Sequence, residues 1–492
     1  MTQTKTKKAL LMSVLSMVLC VAMLVGMTFA WFTDTASTGV NKIQAGNLKV
    51  GLEKATEWNE DGTVKTWTPV GNDPIDFIKA KSAPAGEEIL WEPGCTYKLP
   101  ELRVVNNGNL ALKYKLQITG INGSEKLNDV IDWTITLDNA TYNMSEEHSL
   151  AAKNGAIVDA DVLTVSGHMQ ETAGNEYQKE SINGVTITVV ATQDTVENDS
   201  FNNQYDEDAQ YPIAVTTAED LKTTVNSATE PVSIKLANNI TTDNFVIPSG
   251  KDVTIDLNGW KISNAAAHTI LNNGHLTLKD SSANKSGAIV SLKANTSALR
   301  NGDNAVCVIE GGTISRDGAN GNTWHVIENF GDMTFNGGKV VLKNGNGFAI
   351  TNGWNYFDPG ATTTHAKMTI NALELNTDSS GIKNCRYGDL TVNNVNVNCT
   401  GYWALSNDYL GTAVINGGSF KSPNFKVVSN GAAMTVNGGI FDGGDVGLFI
   451  QTYATSTVLN GGTFTNMDVD TISRYVGTGH TAEQNGTSVI IK

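Results

Sequence analysis

The chain is 492 residues long and acidic, with a net charge of −16, and it carries 48 glycines against 10 prolines. That charge argues against nucleic acid and anionic membrane surfaces as partners, and the length and glycine excess suit two turn-rich β domains. Five cysteines, one of them inside the first thirty residues, do not make a disulfide framework.

Residues 1–30 read as a signal peptide. Lys5, Lys7 and Lys8 precede an apolar run from Ala9 to Ala30. The run could span a bilayer, which leaves a retained anchor as the alternative. Small residues at Thr28 and Ala30, followed by polar sequence, favour cleavage between Ala30 and Trp31. The membrane is then a partner only through the uncleaved signal.

From residue 31 to about 210 the chain reads as a β domain. Leu102 and Val104 alternate, Asn106-Asn-Gly108 supplies a turn, and Leu110, Leu112, Tyr114, Leu116 and Ile118 alternate again, a pattern that predicts a hairpin with one buried face. Val185, Ile187 and Val189 predict another half-buried strand. Asp206, Glu207 and Asp208 form a polar junction before the next domain.

The segment Thr28-Phe-Ala-Trp-Phe-Thr-Asp34, with Thr38–Leu48 behind it, resembles the start of the TasA/camelysin family of secreted biofilm fibre subunits. Pro93-Gly94, the Leu102–Leu112 stretch and Val185–Gln193 follow in matching order. The resemblance covers about residues 1–210. It implies a jelly-roll-like β-sandwich, processing by a SipW-type signal peptidase, and a mature N-terminus that completes a neighbouring subunit's sheet. The candidate donor strand is Trp31, Phe32, Thr33, Asp34 and Thr35, continuing to Gly39; the alternative is an ordinary first strand or a frayed tail of its own sandwich. Strand addition of this kind is a head-to-tail contact and makes filaments.

Residues 211–230 read as a linker with a capping helix. Thr217-Ala-Glu-Asp220 is a capping-box pattern, and Leu221 and Val225 share one helical face. A short helix there would cover the apolar core of a first open rung.

The remainder, 231–492, is repetitive. VINGGSF, TVNGGIF and VLNGGTF place an Asn at 416, 437 and 460, a period of about 22 residues that marks a β-solenoid. Looser copies run back through Asn393, Asn371 and Asn336. A second series sets an apolar residue two positions before Asn273, Asn301, Asn329, Asn352, Asn384, Asn407 and Asn430, ending in Ile450 and Thr452. These asparagines are expected to hydrogen-bond one another along a recurrent corner, and Gly-Gly suits a corner with positive φ. The repeat resembles the right-handed parallel β-helix of the pectate-lyase-like superfamily over residues 215–492. The expected architecture is therefore all-β, a jelly-roll-like β-sandwich followed by a right-handed parallel β-helix.

Between Asn336 and Asn371 the repeat stretches, and the inserted Gly353–Gly360 carries Trp354, Tyr356 and Phe357. On an exposed loop these rings could stack on sugars; the alternative is that they pack down over the adjacent rung. Trp403 is expected in the core. Cys399 extends the alternation of Val395 and Val397 and is expected to point inward; buried free thiols are the first reading, a Cys385–Cys399 bridge the second.

Chemistry is thinly represented. There is no His-Glu-x-x-His, and Glu146-Glu147-His148 is the nearest fragment. Polygalacturonase-type carboxylate motifs are absent, and fold alone does not license function. No catalytic residue, metal site or cofactor is expected. The sequence points to a secreted structural or adhesive surface or biofilm-matrix protein, with itself or a related fibre subunit, the signal peptidase and an extracellular glycan as partners. The alternatives are a secreted carbohydrate-active β-helix enzyme, lyase or hydrolase, and a monomeric glycan-binding adhesin.

Overall fold

The computed structural model describes residues 49–70, 75, 77–78, 91–119, 126–142, 146–153, 155, 158–180, 186–194, 211–317, 324–354 and 364–492. Within them the protein is all-β, and a parallel β-solenoid of about 10 turns occupies residues 213–464.

The N-terminal domain has a seven-stranded and a three-stranded antiparallel sheet. In the larger one, Val50–Trp58 lies between Val64–Pro69 and Leu102–Asn106, and the ten-residue strand Ala160–Met169 ties the rest together. In the smaller one, Leu112–Thr119 lies between Thr186–Gln193 and His148–Leu150. Leu102, Val104, Leu163 and Val165 from one sheet meet Leu112, Leu116, Ile118 and Val189 from the other in a shared core. The predicted hairpin is not formed. Leu102–Asn106 and Leu112–Thr119 belong to different sheets, and the chain crosses between them at Asn106. That side chain is fully buried and donates to the carbonyls of Leu110 (2.8 Å) and Ala151 (3.0 Å) while accepting from Gly108 N (2.9 Å), which turns the chain across the core rather than back along one sheet.

The solenoid has three parallel walls. The first, of eleven strands, begins at Ile213–Val215 and ends at Ser456–Leu459. The second begins at Ile240–Thr242 and reaches Gly462–Thr465; with two closing strands it counts twelve. The third, of nine, runs from Val246–Ile247 to Leu448–Ile450. Strands are short, and each directs alternate side chains inward. Like residues then stack from turn to turn: Ile262, Ile289, Ile314, Val340, Leu375 and Val397 occupy successive registers of the second wall. The column continues as Phe420, Phe441 and Phe464, whose rings lie parallel with centroids 5.1 and 4.7 Å apart. Each buried aliphatic side chain contributes about 1.5–3 kcal/mol.

Both asparagine series form ladders. In the buried one, Asn301 Nδ2 donates to Asn329 Oδ1 (2.8 Å), Asn329 to Asn352 (2.7 Å), Asn352 to Asn384 (2.9 Å), Asn384 to Asn407 (2.8 Å) and Asn407 to Asn430 (2.8 Å). Its first member is Asn272, not Asn273: Ile270 pairs with Leu299, so Asn272 is the inward residue that donates to Asn301 (2.7 Å). Two adjacent asparagines hide this register in the sequence. The series also ends one residue pair earlier than expected, because Val428 pairs with Leu448 and Asn430 with Ile450. Asn430 instead donates to Thr457 Oγ1 (2.9 Å). The second ladder is exposed and links Asn336, Asn371, Asn393, Asn416, Asn437 and Asn460 at 2.7–2.9 Å. The second glycine of the Asn-Gly-Gly corner has positive φ at Gly338, Gly418, Gly439 and Gly462 (94–115°).

Both ends of the solenoid are closed. The helix Ala218–Ser227 begins as the capping pattern predicts, with Thr217 Oγ1 accepting from Asp220 N (3.1 Å), and it buries Leu221 and Val225 completely. The strand Ile213–Val215 that precedes it already pairs with Val232–Leu236, so the helix sits inside the first turn. At the far end the short helix Val469–Ile472 plugs the core with Ile472, and Ser488–Ile491 adds to Gly462–Thr465 antiparallel. Where the two domains meet, Lys235 Nζ donates to Val189 O (3.5 Å) and Lys115 lies over the Tyr211 ring (4.7 Å). Cys307, Cys385 and Cys399 are buried and, like Cys95, are free thiols. Burial pushes the Cys385 thiol up to about 12.

A candidate binding face on the third wall

Seven of the nine third-wall strands, from Ile270–Asn272 to Val428–Asn430, repeat the triplet apolar, x, Asn, with its first and third residues facing inward. The middle residue faces out, and register aligns Arg300, Glu328, Thr351, Lys383, Ser406, Ser429 and Phe449 in one column. Outward side chains on a bare wall would be exposed. Glu328, Thr351, Ser406 and Ser429 are instead 4–8% exposed. Flanking side chains rise on both sides and make the column the floor of a trough.

One rim is aromatic. The Phe348 and Trp403 rings lie parallel with centroids 6.2 Å apart. The Phe425 ring meets Trp403 edge-on at 5.3 Å and Tyr402 at 5.6 Å. Trp403 is therefore half-buried on the outside, not in the core as expected. The inward residue of its strand is Leu405, which pairs with Ile382 and Val428. The opposite rim carries Tyr409 and Tyr453, both about half exposed, and the Tyr453 ring lies against Gly431.

Charge is placed within the trough. Lys383 Nζ forms an ion pair with Asp408 (3.0 Å) and lies 5.6 Å from the Phe348 ring centroid. Burial works to lower the Lys383 ammonium, but Cys385 and Asp408 outweigh it and hold it above its ordinary value. Lys426 Nζ lies 3.7 Å above the Phe449 ring and 5.9 Å from Phe425, and no carboxylate pairs with it among the described residues. At the other end, Glu328 Oε2 accepts from Ser297 Oγ and from Trp324 Nε1 (3.0 Å), with Arg300 at 3.9 Å and His268 at 3.8 Å. Burial pulls both His268 and His325 below the usual imidazole value.

The sequence-derived candidates distribute unevenly over this face. Trp354 is 7% exposed and packs on Phe330 with centroids 4.4 Å apart, its backbone N–H donating to Arg386 O (2.9 Å), so it covers the adjacent rung and does not project. Tyr356 and Phe357 lie outside the described residues, as do Ala30 and the segment Trp31, Phe32, Thr33, Asp34 and Thr35. The asparagine ladder anchors the triplets from within but is not part of the face. The middle residues of the triplets, which form the floor, were missed; the signal was available as the residue before each ladder asparagine.

A family model described as camelysin metallo-endopeptidase matches residues 5–59. The match ends with the first strand among the described residues, Val50–Trp58. No curated protein and no solved structure matches the chain. Among the described residues, the side chains present do not fit the metal that the family's description implies. The matched segment has no histidine. Its described carboxylates are otherwise engaged, Glu53 with Arg103 (2.6 Å) and Glu57 with Lys65 (3.4 Å). Among the described residues no three His, Cys, Asp or Glu side chains gather to hold a metal ion. No helix among them is long and apolar enough to cross a membrane.

Proposed function

We propose that this is a secreted, non-catalytic surface or matrix protein whose sandwich assembles and whose solenoid displays a binding face. The observation that carries this reading is the family match at 5–59, which joins a signal-like segment to the first sandwich strand. Released from the signal, residues 31–48 lead directly into Val50–Trp58, the position from which a strand can be passed to a neighbour.

An acceptor edge supports the same reading. His148–Leu150 pairs with Leu112–Tyr114 only, and beyond that no strand covers the far side of Leu112–Thr119 among the described residues. The Tyr142 hydroxyl stands in there, accepting from Leu116 N (2.9 Å) and donating to Leu116 O (3.3 Å). Such an edge is what strand addition uses. The solenoid contributes a rigid rod with a trough along one wall, suited to holding an extended ligand away from the assembly domain.

Electron microscopy of the secreted protein beginning at Trp31, beside a version lacking residues 31–39, tests the assembly. Filaments in the first sample and single rod-headed particles in the second are expected. Single particles in both would sink self-assembly and leave an adhesin.

A further inference from the structure

We infer that the C-terminal end of the solenoid captures an extended peptide of a partner protein, apolar with one acidic residue, which adds to the third wall as a further strand. The third wall stops one turn short of the other two. Leu448–Ile450 is its last strand, whereas the first wall continues to Ser456–Leu459 and the second to Gly462–Thr465. In each earlier turn a second-wall strand is followed by a third-wall strand. After Gly462–Thr465 the chain instead enters the helix Val469–Ile472, whose Ile472 covers the core. The edge of Leu448–Ile450 is left beside a cleft of about 400 Å³, lined among others by Phe449, Ile450, Met467, Arg474 and Tyr475.

The turn before shows which backbone groups this edge presents. Val428 N donates to Gly447 O (3.2 Å), and Asn430 O accepts from Gln451 N (2.8 Å). Leu448 and Ile450 stand in the same register one turn later, so Leu448 N and Ile450 O are aimed onward, where no strand follows among the described residues. An extended peptide can supply that strand by edge addition, whereas a sugar chain has no matching row of amides. Register sets the peptide's two inward residues over Leu448 and Ile450. The buried asparagine ladder has already ended at Asn430, so apolar side chains fit there and amides do not.

Charge selects the residue between them. It falls beside Phe449, whose ring carries the Lys426 ammonium at 3.7 Å. Arg474 lies 5.1 Å from the Tyr475 ring centroid and donates from Nε to Thr471 O (3.2 Å). Neither cation pairs with a carboxylate among the described residues. Asp468, the acid that lines the cleft, is held as the helix cap, accepting from Asp470 N (3.4 Å) and Thr471 Oγ1 (3.3 Å). Two cations short of a counter-charge, on a chain of net charge −16, are complementary to a carboxylate from the partner. The recognised pattern is therefore apolar, acidic, apolar.

The test titrates the full secreted protein into a capped, fluorescently labelled peptide with a valine–glutamate–valine centre flanked by threonines, and reads anisotropy at low salt. Arg474→Gln removes an exposed cation, Thr471→Tyr sets a ring in the cleft from an exposed position, and Lys367→Gln removes a charge from the first wall as a control. Saturable binding is expected, weakened about fivefold or more by either cleft variant or by glutamine in place of the peptide's glutamate, and unchanged by Lys367→Gln. N-methylation of alternate peptide amides should abolish binding for one set and spare it for the other, because only one edge of an added strand faces the protein. No binding, equal weakening by Lys367→Gln, no weakening by either cleft variant, or equal effects of the two methylation patterns would overturn the proposal. Binding that appears only in protein lacking residues 31–39 would overturn the choice of partner and give the cleft to that segment of a second copy.

Discussion

The asparagines divide into two ladders of unlike burial. Asn384 is fully buried and donates to Asn407, to Gly388 O (2.9 Å) and to Thr412 O (2.8 Å) while accepting from Asn352. Asn416 makes the same kind of link at the exposed corner, where water can replace it. Leaving buried backbone carbonyls unsatisfied costs about 1–3 kcal/mol each, whereas an exposed hydrogen bond contributes less. Asn384→Ala should therefore lower stability by about 2–4 kcal/mol and Asn416→Ala by under about 1 kcal/mol. Urea unfolding followed by far-UV circular dichroism checks this; equal losses would show that burial does not set the ladder's worth.

At the scale of elements, ends and edges are where the chain must supply special residues. Tyr142 holds a strand edge by a side chain, and Thr217 holds a helix start by one. Tyr142→Phe should cost about 1–3 kcal/mol, since Leu116 N loses its acceptor inside the core, while Thr217→Ala should cost about 1 kcal/mol. Thermal unfolding of the two variants gives the comparison, and a Tyr142→Phe protein as stable as wild type would remove the argument that the Tyr142 hydroxyl stands in for a strand at this edge. The repeat was legible because inward residues recur every turn, so Ile, Asn and Gly-Gly keep step. The helix at Ala218–Ser227 was legible from its cap. The crossing at Asn106 was not, because a turn signal does not say whether the next strand returns to the same sheet. Trp403 was misplaced for a related reason: a large apolar residue near a strand end can cover the wall or enter it, and only the pairing of Leu405 decides. The trough was invisible for a third reason. Its floor residues, apart from Phe449, are Arg, Glu, Thr, Lys and Ser, ordinary surface types whose burial depends on rings contributed from other turns.

The molecule as a whole joins a domain of long-range antiparallel pairing to a rod in which each turn touches only the turns beside it. Stability in the rod is then close to a sum over neighbouring turns, with the two caps protecting its ends. The thiols do not cross-link turns, as Cys307, Cys385 and Cys399 are all free. These properties have a mechanical consequence. A rod anchored by its sandwich and loaded through a ligand on its wall is pulled across its turns, which can detach in sequence from the C-terminal end. Each released turn of about 22 residues frees roughly 75 Å of extended chain, at about 3.4 Å per residue. Stretching single molecules in an optical trap should give a train of steps near that length, and one rupture of the entire solenoid would contradict it. A surface carrying many such rods would yield under shear by paying out chain, and recover its length when the load falls.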